Sequence, residues 1–181
     1  MKEEEFALIE RILEGETDLY AHFVTKYNKE IFQLAFQLTK DREFAEDLTQ
    51  DVFVKGFLKL RSFQQKSQFL TWLYRIAYNL IINELRKRKV TFSNFDDETV
   101  SPKEIAEIDD FFDKQETEHR YQKLDEALKT LSKDEYALIL FHYYEQKTID
   151  EMAFITEQSS ANVKVKLFRI RKKLYNIMRY E

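Results

Sequence analysis

Apolar residues recur every three or four positions along nearly the whole chain, the spacing of amphipathic helices rather than strands. Phe6, Ile9 and Leu13 open such a stripe, and Gly15 is placed to end it. Thr17 is a candidate cap for a second helix carrying Tyr20, Phe23, Tyr27, Ile31, Leu34 and Leu38 on one side. Asp41 caps a third, with Phe44, Leu48, Val52 and Leu60 in helical register. A polar loop over residues 63–67 leads into a long fourth helix reaching about Lys89, whose core stripe is Phe69, Leu73, Ile76 and Leu80.

Beyond Thr91 the periodicity dissolves into a polar, acidic stretch, residues 93–119, read as a linker in which a short helix starts at Ser101-Pro102-Lys103-Glu104. The last part of the chain carries three further helix starts. Ser132-Lys133-Asp134-Glu135 and Thr148-Ile149-Asp150-Glu151 are capping boxes, and Ser159-Ser160 caps the final helix. A short capped helix, a tight turn and a long helix outline a helix-turn-helix. The final helix buries Val163, Leu167, Ile170, Leu174 and Ile177.

Two glycines and one proline among 181 residues are too few for the turns that a strand-based fold needs. The expected fold is all-α: two small helical domains, residues 1–92 and 120–181, joined by the linker, the second a helix-turn-helix. There is no cysteine, which removes disulfides, thiolate metal sites and thiol nucleophiles. No apolar run has the length of a membrane span and the N-terminus lacks a signal-peptide core, so a cytoplasmic location is expected, without membrane insertion.

The net charge of −4 hides strong segregation. Arg86-Lys87-Arg88-Lys89 and residues 164–173 are basic, whereas residues 96–118 are strongly acidic. On the last helix the side opposite the core stripe carries Ala161, Lys164, Val165, Phe168 and Lys172, with Arg169 at its margin. Cations there suit phosphates, and Val165 and Phe168 suit thymine methyls or sugars. On the fourth helix Trp72, Arg75, Asn79 and Arg86 share a side. Guanidinium groups, an amide and an aromatic plane meet the needs of opened or single-stranded DNA, although Trp72 fits a core position equally well. Asp47, Gln50 and Asp51 lie on a polar side of the third helix. That side is either solvated or a docking face for a basic helical partner.

No catalytic apparatus is visible. There is no glycine-rich phosphate loop, and His22, His119 and His142 lack metal-ligand spacing. His142 reads as a packing residue. No cofactor and no metal are expected, and the chain is not expected to be an enzyme.

Three segments together resemble the extracytoplasmic-function (ECF, group IV) class of bacterial RNA polymerase sigma factors. Residues 45–53, Ala-Glu-Asp-Leu-Thr-Gln-Asp-Val-Phe, look like the segment that binds the β′ clamp helices of core polymerase, with Asp47, Gln50 and Asp51 in contact. Residues 72–79, Trp-Leu-Tyr-Arg-Ile-Ala-Tyr-Asn, resemble the helix that reads the promoter minus-ten element. The resemblance implies that Asn79 contacts a base and that the loop Ser62, Phe63, Gln64, Gln65, Lys66, Ser67 and Gln68 holds a flipped-out nucleotide. Residues 150–153 and 162–174, the latter including Asn162, Lys164, Lys166 and Arg169, resemble the helix-turn-helix that reads the minus-thirty-five element.

The family also implies contact with the β subunit and an anti-sigma partner. Its members thread the linker through a positively charged path of the polymerase, where acidic residues of this chain would imitate nucleic acid. Asn83 stands where Asp is common, Glu157 where glycine is frequent, and Ala161-Asn162 where Gly-Thr is frequent, so promoter preference is not carried over. A polymerase-independent helix-turn-helix regulator is the alternative reading, but it leaves the Asp47–Asp51 surface without a role.

Overall fold

The computed structural model describes residues 2–88 and 118–180. The linker, its Ser101 helix and its acidic run therefore lie largely outside the described residues. All the regular structure described is helical, as expected. The helices are α1 (Lys2–Glu14), α2 (Tyr20–Thr39), α3 (Arg42–Leu58), α4 (Phe69–Arg88), α5 (Glu118–Lys129), α6 (Lys133–Ile139), α7 (Ile149–Thr156) and α8 (Ser160–Tyr180).

Local chemistry explains most of the boundaries. Gly15 ends α1 with φ +125, a conformation that side chains disfavour. Thr17 does not cap α2. It begins a 3-10 turn, Thr17–Leu19, that feeds straight into the helix, and no side chain caps either element. Asp41 does cap α3, accepting from the Phe44 amide at 3.1 Å. Both capping boxes form, at Ser132 with Glu135 and at Thr148 with Glu151. Ser159 Oγ accepts from the Asn162 amide at 3.2 Å and caps α8.

Helices α1–α4 form one bundle, with all six apolar positions expected of α2 buried. On α1 the inward positions are Ile9 and Ile12, and Leu13 is turned outward at 38% exposure, which corrects the expected stripe by one residue. A buried carboxylate, Glu5, anchors α1 by accepting from Lys26 Nζ at 2.5 Å and from the Tyr27 hydroxyl. Helices α5–α8 form the second bundle around Phe141, Met152, Val163, Leu167, Ile170 and Leu174. Ile177 is only partly buried, and Met178 takes the inward place at the end of the stripe.

A π-helical turn, Leu140–Tyr144, follows α6 and closes with the Glu145 amide on the Leu140 carbonyl at 3.0 Å. His142 packs edge-on against Tyr143, with ring centroids 4.7 Å apart.

Helix α4 is the shared element. One side packs on α2 and α3, the other on α7 and α6 of the second bundle. Its buried positions therefore go beyond Phe69, Leu73 and Leu80 to include Tyr74, Ala77, Tyr78, Ile81 and Ile82, while Ile76 is only partly buried. A helix buried from several sides carries apolar residues all round, which blurs a single stripe.

Candidate nucleic-acid and polymerase interfaces

The loop between α3 and α4 is held from below by aromatic rings. Phe63 is buried, with its ring centroid 5.4 Å from Trp72, 5.6 Å from Phe69 and 5.9 Å from Phe6 of α1. Phe69 in turn lies 4.3 Å from Phe23. This cluster anchors the loop while Ser62, Gln64, Gln65, Lys66 and Gln68 remain exposed. Ser62 Oγ donates to the Lys59 carbonyl at 2.6 Å, and Gln65 turns the chain with φ +57.

Loop and helix enclose a cleft of about 490 Å³. Ser62, Phe63, Gln64, Lys66, Ser67, Trp72, Arg75 and Asn79 all line it, so most of the residues expected to engage the minus-ten element are brought together. Gln65, Gln68 and Arg86 are not in its wall. Arg86 instead pairs with Asp134 of the second bundle at 3.0 Å. Trp72 satisfies both readings made for it, being buried at 7% exposure and still forming part of the wall. Lys55 and Lys59 also line the cleft and were not singled out from sequence, and Asn83, noted there only as a departure from the family, joins them. The two lysines stand four apart, one helical turn, which is the signal that marks them as facing the same way.

Lys55, Lys59, Lys66 and Arg75 give the cleft positive potential, and a concave low-dielectric wall focuses it. An amide, an indole and four cations can hold an unstacked base and the phosphates beside it. Among the described residues no cluster of His, Asp or Glu is arranged to hold a metal ion. Among the same residues no helix is long and apolar enough to cross a membrane.

The outer face of α3 has a different character. Asp47, Gln50 and Asp51 are all exposed. Continuing by steps of three and four, the same face presents Val54 at 58% and Leu58 at 73% exposure, with Phe57 beside them at 37%. An acidic patch beside uncovered apolar side chains is the composition of a protein-docking surface. The apolar half was missed in the sequence because Val54 fits a buried stripe as readily as an exposed one.

In the second bundle, α7 and α8 meet across a tight turn. Glu157 takes a left-handed conformation with φ +57, so the turn often made by glycine is made here by glutamate. The Gln158 amide donates to the Ala153 carbonyl at 3.0 Å, and Ser160 Oγ donates to Asp150 at 2.6 Å, tying the start of α8 to α7. Ala161, Asn162, Lys164 and Val165 are exposed on the first turns of α8, and Lys166, Phe168, Arg169 and Lys172 are partly buried. They share the outer side of a helix whose N-terminal end carries partial positive charge.

Burial pushes the Glu151 carboxyl up, but hydrogen bonds from the Thr148 backbone and hydroxyl, another from Thr71 and the charge of Lys147 hold it below the usual carboxylate range.

Residues 23–91 match the sigma-70 region 2 family and residues 121–174 match sigma-70 region 4. The chain is 37% identical over 81 residues to the ECF RNA polymerase sigma factor SigW of Bacillus subtilis, an alignment covering 45% of this chain and 43% of that one. It is 28% identical to the RNA polymerase sigma-H factor of Pseudomonas aeruginosa, covering 94% of this chain and 91% of that one. In fold it is similar to the sigma factor RpoE in complex with the anti-sigma factor NepR from Bartonella quintana. That likeness has a TM-score of 0.61 at 22% identity and covers 90% of this chain and 98% of the other. With region 2 forming most of the cleft and the whole α3 face, and region 4 forming the helix-turn-helix, the chain belongs to the sigma-70 family as an RNA polymerase sigma factor of the extracytoplasmic-function type.

Proposed function

We propose that this group IV sigma factor docks on core polymerase through α3, with Asp47, Gln50 and Asp51 steering the β′ clamp helices and Val54 and Leu58 supplying apolar contact. The observation that carries this is the outer face of α3, which is exposed, acidic and apolar in adjacent turns. Charge complementarity speeds encounter, while the uncovered side chains contribute most of the affinity.

The domain from 1 to 92 then reads the minus-ten element. Asn79 contacts a base, Trp72 and the loop around Ser62–Gln68 receive the flipped nucleotide, and Arg75 and Arg86 take phosphates. The domain from 120 to 181 contacts the β subunit and reads the minus-thirty-five element through Ala161, Asn162, Lys164, Val165, Lys166, Phe168, Arg169 and Lys172. The acidic segment 93–119 joins them. Tethering on polymerase makes the second DNA contact intramolecular, so weak modules suffice. The polymerase performs the chemistry, and the chain acts in the cytoplasm without cofactor. An anti-sigma protein is a further expected partner, supported by the fold likeness to a sigma factor bound to one.

The test is co-elution with purified bacterial core RNA polymerase, comparing wild type with an Asp47/Gln50/Asp51 triple alanine variant. Binding by wild type and its loss in the variant are expected. No binding by the folded wild type would remove the polymerase role.

A further inference from the structure

Helix α1 takes no part in the surfaces described above. It lies ahead of the region 2 match, which begins at residue 23, and among the described residues none that lines the cleft comes from it. It nonetheless reaches the cleft from behind. Helix α1 packs on the short 3-10 turn Leu60–Ser62 that opens the loop, and its Phe6 ring lies 5.9 Å from Phe63. Phe63 is the one buried residue between Arg61 and Gln68, and its ring meets Trp72 at 5.4 Å. A single ring therefore stands between α1 and the indole in the cleft wall.

A helix of 13 residues is marginal in water by itself, so its place depends on what it packs against. Ile9 and Ile12 are buried and supply the apolar half of the attachment. Glu5 supplies the polar half: its buried carboxylate accepts from Lys26 Nζ and from the Tyr27 hydroxyl. A buried carboxylate is costly unless a cation and hydrogen bonds compensate it, which ties this pairing to one geometry. Burial, helped by the hydrogen bond to Glu5, pushes the Tyr27 hydroxyl well above the usual tyrosine range, so it remains a donor.

The contacts close on themselves. Tyr27, held by Glu5, lies 6.1 Å from Phe69, and Phe69 lies 5.6 Å from Phe63. Phe63 in turn lies 5.9 Å from Phe6, the neighbour of Glu5 in the chain. Any shift of α1 must therefore displace Phe63 or break the Glu5 pairing. A close-packed interior transmits such a displacement instead of absorbing it.

We propose that Glu5 and Phe6 are positioning residues for the cleft: the Glu5 pairing fixes Phe6, and Phe6 sets the pose of Phe63 and Trp72 against which a base is held. Neither side chain touches DNA. That the occupant is a DNA base rests on the functional reading above. A helix that only added stability would change unfolding and leave the cleft of the folded chain as it is.

Trp72 is the sole tryptophan of the chain and is buried at 7% exposure, so its fluorescence reads the cleft directly and its quenching starts low. The test uses the full-length chain with Phe6→Leu, Phe63→Leu, the two together, and Glu5→Gln, each of wild-type helicity. Phe6→Leu and Glu5→Gln should raise acrylamide quenching of Trp72 in the folded state. Phe6→Leu should weaken binding of a fluorescent single-stranded 20-mer about three- to ten-fold, the range of a lost aromatic pair. The double variant should bind no more weakly than Phe63→Leu alone, because Phe6 acts through that ring. Core polymerase co-elution, which reads the α3 face, should be unchanged in Phe6→Leu. Unaltered Trp72 quenching in Phe6→Leu, or additive losses of affinity in the double variant, would overturn the proposal. A wild type that co-elutes with polymerase but binds no 20-mer would overturn the cleft reading and this role with it. The quenching comparison needs neither DNA nor polymerase, so a failure of positioning is separable from a failure of that reading.

Discussion

Tyr20 and Gly56 are matched across the first bundle: the Tyr20 hydroxyl donates to the Phe53 carbonyl at 2.9 Å through the space that a side chain at Gly56 would fill. A Cβ at position 56 would meet that hydroxyl oxygen at 2.7 Å and Leu73 Cδ1 at 3.1 Å. The close approach fixes α2 against α3 next to the proposed polymerase face.

Alanine inside a helix ordinarily gains about 1 kcal/mol over glycine. Gly56→Ala should instead destabilise by about 1–2 kcal/mol, because the buried Tyr20 ring must shift and its hydroxyl must give up or strain its bond to the Phe53 carbonyl. Adding Tyr20→Phe removes the opposing oxygen and should recover part of the loss. Urea unfolding of the two single variants and the double variant gives the coupling, and additive effects would show that the contact is not strained.

The capping box at Thr148 and Glu151 predicts a pH dependence. Glu151 is held below its ordinary value of 4.5, so the stability it contributes is complete above that pH and is lost as pH falls through its lower folded-state value. Glu151→Ala should cost about 1 kcal/mol at neutral pH, and the difference from wild type should shrink in acid. Melting temperatures at pH 7 and pH 3 check this. A constant difference would mean that the carboxylate's charge is immaterial.

Asn79 faces the cleft rather than the α3 surface. Asn79→Ala should leave core polymerase affinity unchanged and weaken promoter-specific initiation by the ~1–3 kcal/mol of a lost base contact. Parallel co-elution and single-round transcription separate the two effects. Equal loss in both would refute the assignment.

Lys164→Ala with Arg169→Ala should lower affinity for the upstream promoter element and reduce the slope of log affinity against log salt by roughly two, one for each phosphate contact. Titrations at several salt concentrations measure it. An unaltered slope would place both side chains away from the backbone.

Much of this architecture is legible in the chain because helices are local. The α2 stripe, the Asp41 cap and both capping boxes depend on residues within four positions of each other, and all appear as read. Thr17 failed as a cap because a 3-10 turn runs directly into α2, a continuation that cap chemistry does not forbid. Leu13 and Ile12 exchanged roles because three apolar residues determine a helix face only to within about one position.

By itself, then, the sequence determined where most of the helices lie, though not α5, whose start falls in the stretch read as linker, and which residues on α3, α4 and α8 had chemistry to offer. Only the tertiary structure decided that α4 is buried on two sides, that Phe63 anchors the loop instead of projecting from it, and that Lys55 and Lys59 join the cleft. It also placed Glu157 on Arg75, a pair separated by 82 positions. Helical periodicity records that a face is apolar, but not which surface covers it. Contacts between distant segments are set by packing and charge in three dimensions and leave no period in the chain.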